Sequence, residues 1–177
     1  KGASIAINGT CLTVTEFNLD NSTANFDAIE ETLRLTNLAS LKVRDFVNFE
    51  RAAKFGDEIG GHTMSGHIHS CVKIIKIEKT LENCRIYLAL PEEIKPYIFN
   101  KGFVGVNGCS LTVAKVTDEY FSVHLIPETL ELTIFGELSE NNFVNIEIDS
   151  QTQAIVDTVK RVLSDERSLV LKGTKNE

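Results

Sequence analysis

Two seven-residue phrases and one histidine-rich stretch hold most of the side chains that could do chemistry in this chain of 177 residues. Cys11 stands in NGTCLTV, Asn8 to Val14, and Ser110 in NGCSLTV, Asn107 to Val113. On an extended strand the side chains at 11 and 13, and those at 110 and 112, share one face. A thiol and hydroxyls so placed suit the few polar groups of a ligand groove, or a nucleophile with its hydrogen-bond partner. Small residues filling a narrow barrel give the same pattern, and the strand alone leaves both readings open. The third stretch, GGHTMSGHIH from Gly60 to His69, sets three histidines among glycines at 60, 61 and 66. His67 and His69 share a strand face, whereas His62 lies across a glycine-rich turn. With no carboxylate or cysteine at a recognised zinc spacing, metal binding has little support. A glycine-permitted turn that carries one histidine to a ligand competes with a purely structural loop. No Ser-His-Asp order, P-loop or G-x-G-x-x-G is present, which disfavours hydrolase, nucleoside-triphosphate and dinucleotide readings.

The elements that must position these residues come in duplicate. NGTCLTV returns 99 residues later, ETLRLTNL from Glu31 returns as ETLELTIF 97 residues later, and FVNFE from Phe46 returns as FVNIE, again 97 later. The difference in offset falls where NLDNSTAN is opposed by TDEY, a change of loop length. A period this long suits two homologous domains in tandem and is too long for a solenoid. Within each copy the segments are short, β-branched and often alternating: ASIAI, CLTVTEF, TANFDAI, LRLTNL and DFVNFER, then VKIIKIEK, CRIYLAL, GFVGV, SLTVAKV, YFSVHLI and FVNIEI. Turn signals separate them. The expected fold is all-β, with two homologous six-stranded antiparallel Greek-key barrels followed by a C-terminal α-helix. PEEIKPYIF reads as a short helix. From Thr152, the residues Ile155, Val156, Val159, Val162 and Leu163 form an apolar helical stripe, which packs either on the chain's own barrels or on other copies. Expected domains are residues 1–60, 61–150 and 151–177. The second copy has roughly 30 strand-like residues ahead of KGFVGVNG, while the first begins at Lys1, so the first barrel is expected to lack its opening strands.

The formal net charge of -7 and the absence of a Lys/Arg cluster argue against nucleic acid or an anionic membrane as principal partner. No run approaches the roughly 18 apolar residues of a membrane span, and the start lacks a signal-peptide layout, so the expected location is cytoplasmic. Cys11, Cys71, Cys84 and Cys109 form no C-x-x-C pair and read as free thiols.

Taken together, the doubled NG-x-x-LTV, RAAKFGDEIGGHTMSGHI, HLIPETLE, and VNIEID followed by QTQAIVDTVKRVL closely resemble the riboflavin synthases, over Lys1 to about Leu163. The family's opening Met-Phe-Thr-Gly-Ile-like strand is the part without a match. The resemblance implies a dismutation in which two molecules of 6,7-dimethyl-8-ribityllumazine exchange a four-carbon unit. The products are riboflavin and 5-amino-6-ribitylamino-2,4-pyrimidinedione, and no cofactor or metal is required. It implies a homotrimer held by C-terminal helices, with each reaction centre between the first barrel of one subunit and the second of a neighbour. It also admits association with lumazine synthase. Carried over by position, the first pocket is lined by Cys11, Leu12 and Thr13, by Asp27, Ala28, Ile29, Glu30, Glu31 and Thr32, and by Gly66, His67 and Ile68. The second is lined by Lys101, by Ser110, Leu111 and Thr112, and by Ile126, Pro127, Glu128, Thr129, Leu130 and Glu131. Within these sets His67 is expected to act as base or proton relay, with Ser110, Thr112, Ser4 and Cys11 as activators or hydrogen-bond partners and Asp149 orienting the second site. A non-catalytic lumazine or flavin antenna protein of the same fold is the alternative. The intact CLTV, SLTV, paired ETL and GHTMSGHI favour the enzyme.

Overall fold

A computed structural model describes residues 1–80 and 83–173. In its first half β1 (Ser4–Ile7), β2 (Thr10–Asn18), β3 (Thr23–Phe26) and β4 (Phe49–Arg51) form an antiparallel sheet of order β3-β2-β1-β4, with α1 (Glu30–Leu35) between β3 and β4. In its second half β5 (Ser70–Lys79), β6 (Cys84–Ala89), β7 (Phe103–Val106), β8 (Cys109–Val116), β9 (Tyr120–Leu125) and β10 (Phe143–Ile148) close into a barrel of order β10-β5-β6-β9-β8-β7. Helix α2 (Pro127–Leu132) precedes β10, and α3 (Ser150–Gly173) follows it. The duplicated phrases pair β1 with β7, β2 with β8, β3 with β9 and β4 with β10. Strands β5 and β6 complete the barrel and have no counterparts in the first sheet among the described residues.

Closure decides where the core lies. Alternation along β8 turns Leu111 and Val113 inward and leaves Thr112 and Ala114 exposed. The contiguous buried cluster runs from Val72 through Phe121 and Phe135 to Ile148 and belongs wholly to the second half, the barrel strands and the segments that connect them. The first sheet buries only Ile7, Leu12 and Val14 among its apolar residues. No helix among the described residues is long and apolar enough to cross a membrane.

The two Asn-Gly turns explain why that dipeptide is written twice. Asn8 and Gly9 have φ of 46° and 79°, and Asn107 and Gly108 have 45° and 85°, the paired left-handed conformations of a type I′ hairpin. The turns meet back to back, so that a Cβ on Gly9 would stand 2.5 Å from the Gly108 nitrogen. Around them an asparagine network repeats itself across the two halves. The Asn48 amide N–H donates to Asn8 Oδ1 and the Asn145 amide N–H to Asn107 Oδ1, both at 2.8 Å. The side chains then cross over: Asn145 Nδ2 donates to the Asn8 carbonyl at 2.9 Å and Asn48 Nδ2 to the Asn107 carbonyl at 2.8 Å. Likewise the Asn37 N–H donates to Asn145 Oδ1, and the Ile134 N–H to Asn48 Oδ1. A pseudo-twofold relation between the halves is thus held by asparagines at duplicated positions.

Two local expectations change, and one open alternative narrows. LRLTNL is not a strand: Glu30–Leu35 is helical and Asn37–Ser40 a 3-10 turn. The Leu-x-Leu alternation gives way to an Arg34–Glu31 pair and to the Thr36 hydroxyl, which donates to the Thr32 carbonyl at 2.7 Å. PEEIKPYIF tightens only into a 3-10 turn at Lys95–Tyr97. The α3 stripe does not cover the chain's own barrel, because Ile155, Val159, Val162 and Leu163 are each at least half exposed. What docks α3 is polar: the Tyr97 hydroxyl meets the Asp157 carboxylate at 2.5 Å, with the Lys160 ammonium 4.6 Å from the Tyr97 ring centroid. Tyr97→Phe keeps the ring and loses the hydroxyl bond, so amide exchange along residues 152–160 is expected to speed up by roughly two- to fivefold, corresponding to about 0.5–1 kcal/mol.

Candidate functional site

On the outer face of the barrel, β7 pairs Gly105 with Ser110 of β8 and with Glu147 of β10. Ser110 and Thr112 therefore point out of the barrel and not into it, which removes the reading of small residues packing a narrow interior. Gly105 leaves a trough between its neighbours. The stretch Gly60–Gly66 lies across this face, and the Met64 sulfur fills the trough: a Cβ on Gly105 would stand 2.8 Å from it.

That crossing delivers His62 to Ser110. The His62 backbone N–H donates to Ser110 Oγ at 3.0 Å, and Nδ1 of its ring lies 2.6 Å from the same oxygen. Since Oγ already accepts the backbone N–H, its own proton is free to point at Nδ1, which leaves Nε2 as the protonated nitrogen. Nε2 is buried and has no hydrogen-bond partner among the described residues. The ring stacks on Phe103 with centroids 5.2 Å apart. Burial pushes the imidazole below its ordinary pKa, against the opposing pull of Asp149 and Glu147. Asp149 itself is held low: partial burial works against its charged form, but bonds from the Thr152 hydroxyl and backbone and the nearby His62 outweigh that. The approach at Gly61 is the tightest of all, since a Cβ there would lie 2.1 Å from Ser110 Oγ.

The equivalent face of the first sheet carries Ser4 opposite Thr13 and Ala6 opposite Cys11. Here the far end of the same crossing segment lies on Cys11: the Cys11 N–H donates to the Gly66 carbonyl at 3.0 Å, and a Cβ on Gly66 would stand 2.5 Å from Cys11 Cβ. Between segment and sheet is a cavity of about 490 Å³, whose walls include Ser4, Cys11, Glu50, His62, Met64 and Glu147. Of the four thiols Cys11 alone is exposed; burial pushes Cys71 and Cys109 up to about 11, the latter aided by Glu50, and raises Cys84.

Of the residues expected in the site, the structure gathers Ser4, Cys11 and Gly66 around this cavity and ties Ser110 to it through His62. Thr112 is exposed beside Phe103, its partner in β7, and Asp149 stands near enough to His62 for each to influence the other's charge. His67 is placed elsewhere: it is exposed, and its N–H reaches only Ser65 Oγ at 3.4 Å. His69 bridges Gln153 of α3 and the Ile148 N–H. Leu12 and Leu111 are buried, leaving only backbone to a ligand on the outer face. Asp27, Ala28 and Ile29 lead into α1, followed by Glu30, Glu31 and Thr32; the Glu31 carboxylate is engaged by Arg34 at 2.6 and 2.8 Å. Ile126 through Glu131 lead into and form α2, and Lys101 holds a left-handed turn at φ 64°. None of these three groups lines the 490 Å³ cavity. Among the described residues no group of three or more His, Cys, Asp or Glu is placed to hold a metal. His62, Phe103 and Glu147 went unassigned from sequence. For Glu147 a signal existed, because a glutamate recurs in FVNFE and FVNIE on an otherwise apolar strand.

The Lumazine binding domain family matches residues 1–52 and 65–149. The riboflavin synthase of Escherichia coli strain K12 is 56% identical over 164 residues, covering 92% of this chain and 76% of that protein. That of Chlamydia pneumoniae is 45% identical over 163 residues, covering 92% and 78%. Among solved structures, that of LumP complexed with riboflavin superposes with a TM-score of 0.75 at 26% identity, covering 84% of this chain and 79% of that one.

Proposed function

The chain belongs to the riboflavin synthase family, and from that premise we propose that it converts two molecules of 6,7-dimethyl-8-ribityllumazine into riboflavin and 5-amino-6-ribitylamino-2,4-pyrimidinedione by four-carbon transfer. The observation that carries the site assignment is the 2.6 Å contact of His62 with Ser110 on one face, opposite Cys11 at the duplicated position of the other. One lumazine must lose a proton from its 7-methyl group, and a nucleophile must add at C7 of the other. Ser110, with neutral His62 at its oxygen, can take or relay that proton, and the Cys11 thiol and Ser4 hydroxyl serve the equivalent place in the first half. Thr112 offers a further hydroxyl, Asp149 biases the charge on His62, and His67 stands by as an exposed relay. Backbone groups of residues 11–13, 66–68, 110–112 and 126–131, with Lys101 and the stretch 27–32, are proposed to hold the two pteridine edges and ribityl chains. Much of the acceleration then comes from holding two like molecules in register, which supplies ~7–11 kcal/mol in favourable cases. The proposed domain division is 1–60, 61–150 and 151–177, of which residues 81–82 and 174–177 lie outside the described residues. The exposed α3 stripe supports a homotrimer with sites shared between neighbouring subunits, and lumazine synthase fits as a partner supplying lumazine.

The decisive assay mixes the purified chain with 6,7-dimethyl-8-ribityllumazine and no added cofactor. One riboflavin for every two lumazines consumed supports the reading. Bound lumazine without turnover overturns it in favour of the antenna alternative. Ser110→Ala is expected to lower turnover about 100-fold, the scale of a positioned proton-transfer group. The acid limb of kcat against pH should lie below the ordinary histidine value of about 6.5, because burial disfavours the charged ring and activity falls only when His62 takes a proton. The same sign holds for folding: the unfolded chain binds that proton more readily, so the contribution of neutral His62 is present above pH ~6.5 and is lost as pH falls through the lower folded value.

A further inference from the structure

A glutamate from the second barrel holds the crossing segment in place. Glu147 is 5% exposed, lies on the outer face of β10, and spends both carboxylate oxygens on two consecutive residues of that segment. Oε1 accepts the Ser65 N–H at 2.6 Å and the Ser65 hydroxyl at 2.9 Å, while Oε2 accepts the Gly66 N–H at 3.0 Å. The carbonyl of the same residue, Gly66, accepts the Cys11 N–H at 3.0 Å. One residue, through its N–H on one side and its carbonyl on the other, therefore links the Glu147 carboxylate of the second half to the backbone that presents the Cys11 thiol in the first half. Upstream, Met64 fills the Gly105 trough and His62 stands on Ser110, so the clamp on 65 and 66 also limits how far the histidine can move.

The duplicated position behaves differently. Glu50 is exposed on β4, lines the open cavity, and makes no side-chain hydrogen bond among the described residues. Two glutamates at equivalent places thus have unequal partners: one is saturated by backbone and hydroxyl donors, the other faces solvent. Charge-assisted bonds from a buried carboxylate to backbone N–H groups are among the stronger ones in proteins, and both lone-pair faces of Glu147 are committed.

We propose that Glu147 is a positioning residue for the reaction: through the Glu147–Gly66–Cys11 chain it sets the place of the first-half thiol and, through the same segment, of His62 at Ser110. This rests on the function proposed above. The test therefore includes a readout that does not need turnover. Glu147→Gln keeps the shape but supplies one acceptor oxygen where two are used, and it turns an N–H donor toward a backbone N–H.

Labelling by an aromatic disulfide (dithiobis-nitrobenzoate) reports on Cys11, the exposed thiol, and Cys11→Ser identifies its phase. In Glu147→Gln the Cys11 phase is expected to quicken about three- to tenfold as Gly66 lifts from it, with kcat falling about tenfold and KM changing less than threefold. Ser65→Ala removes only the hydroxyl bond and should shift both readouts the same way by a smaller factor, which keeps the test usable if the glutamine variant does not fold. Unchanged labelling in both variants overturns the clamp, whether or not kcat falls. An absence of lumazine turnover by the wild-type chain sinks the function reading instead, while the labelling comparison still decides the clamp.

Discussion

Asn145→Ala is expected to lower the unfolding free energy by about 2–4 kcal/mol, read as a fall in the urea midpoint with an unchanged slope. Asn145 is fully buried in the second half, and its side chain satisfies groups of the first: Nδ2 donates to the Asn8 carbonyl at 2.9 Å and to Asn37 Oδ1 at 3.0 Å, and Oδ1 accepts the Asn37 N–H at 2.7 Å. Alanine leaves a backbone carbonyl and a backbone N–H without partners in a site that water does not readily fill. Asn145→Asp is the sharper comparison. It keeps the volume and the acceptor but presents an oxygen to the Asn8 carbonyl, so it should cost at least as much at neutral pH and recover part of the loss when acid protonates the carboxyl. Should both variants unfold at the wild-type midpoint, the asparagine network does not hold the halves together.

The second large effect falls on turnover. Gly61→Ala should reduce kcat about 100-fold, the cost attached to displacing a reacting group by about an ångström. Its added Cβ would stand 2.1 Å from Ser110 Oγ and 2.7 Å from Ser110 Cβ, and Gly61 holds φ at +76°, where alanine is strained. Either the segment lifts, taking His62 from Ser110, or Ser110 turns away; both separate the pair. Gly60→Ala is the built-in control, because a Cβ there meets nothing within 4 Å. Its turnover is expected within about twofold of wild type, as for surface changes that touch no partner. Equal losses in the two alanines would show that backbone freedom in the stretch matters and the Ser110 approach does not.

Much of the site was legible as a list of residues and little of it as an arrangement. Cys11 and Ser110 stand out because an otherwise repeated phrase differs there, and the strand alternation puts Thr13 and Thr112 on the same faces. The histidine was harder. His67 lies on the strand-like side of GGHTMSGHIH and reads as the presented one, yet it is His62, 48 positions from Ser110 in the chain, whose ring nitrogen meets the hydroxyl. Glu147 was readable only as a charged residue recurring on an apolar strand; that it takes three donors from residues 65 and 66 is a fact of packing.

Local pattern was sufficient for what depends on neighbours in sequence. The period-2 strands and the Asn-Gly hairpins follow from residues close together in the chain, and the duplication at 99 and 97 residues and the family resemblance from comparing such short stretches as strings. Tertiary structure alone decided that ETLRL coils into α1 though its leucines alternate, that Ser110 faces outward, and that residues 60–66 bridge the two faces. It also left the α3 stripe exposed rather than packed on its own barrel. The physical reason is the same in each case: alternation and turn chemistry set which way a side chain points relative to its own strand. Which surface it then meets is set by contacts between residues far apart in the chain, such as His62 on Ser110 and Gly66 on Cys11.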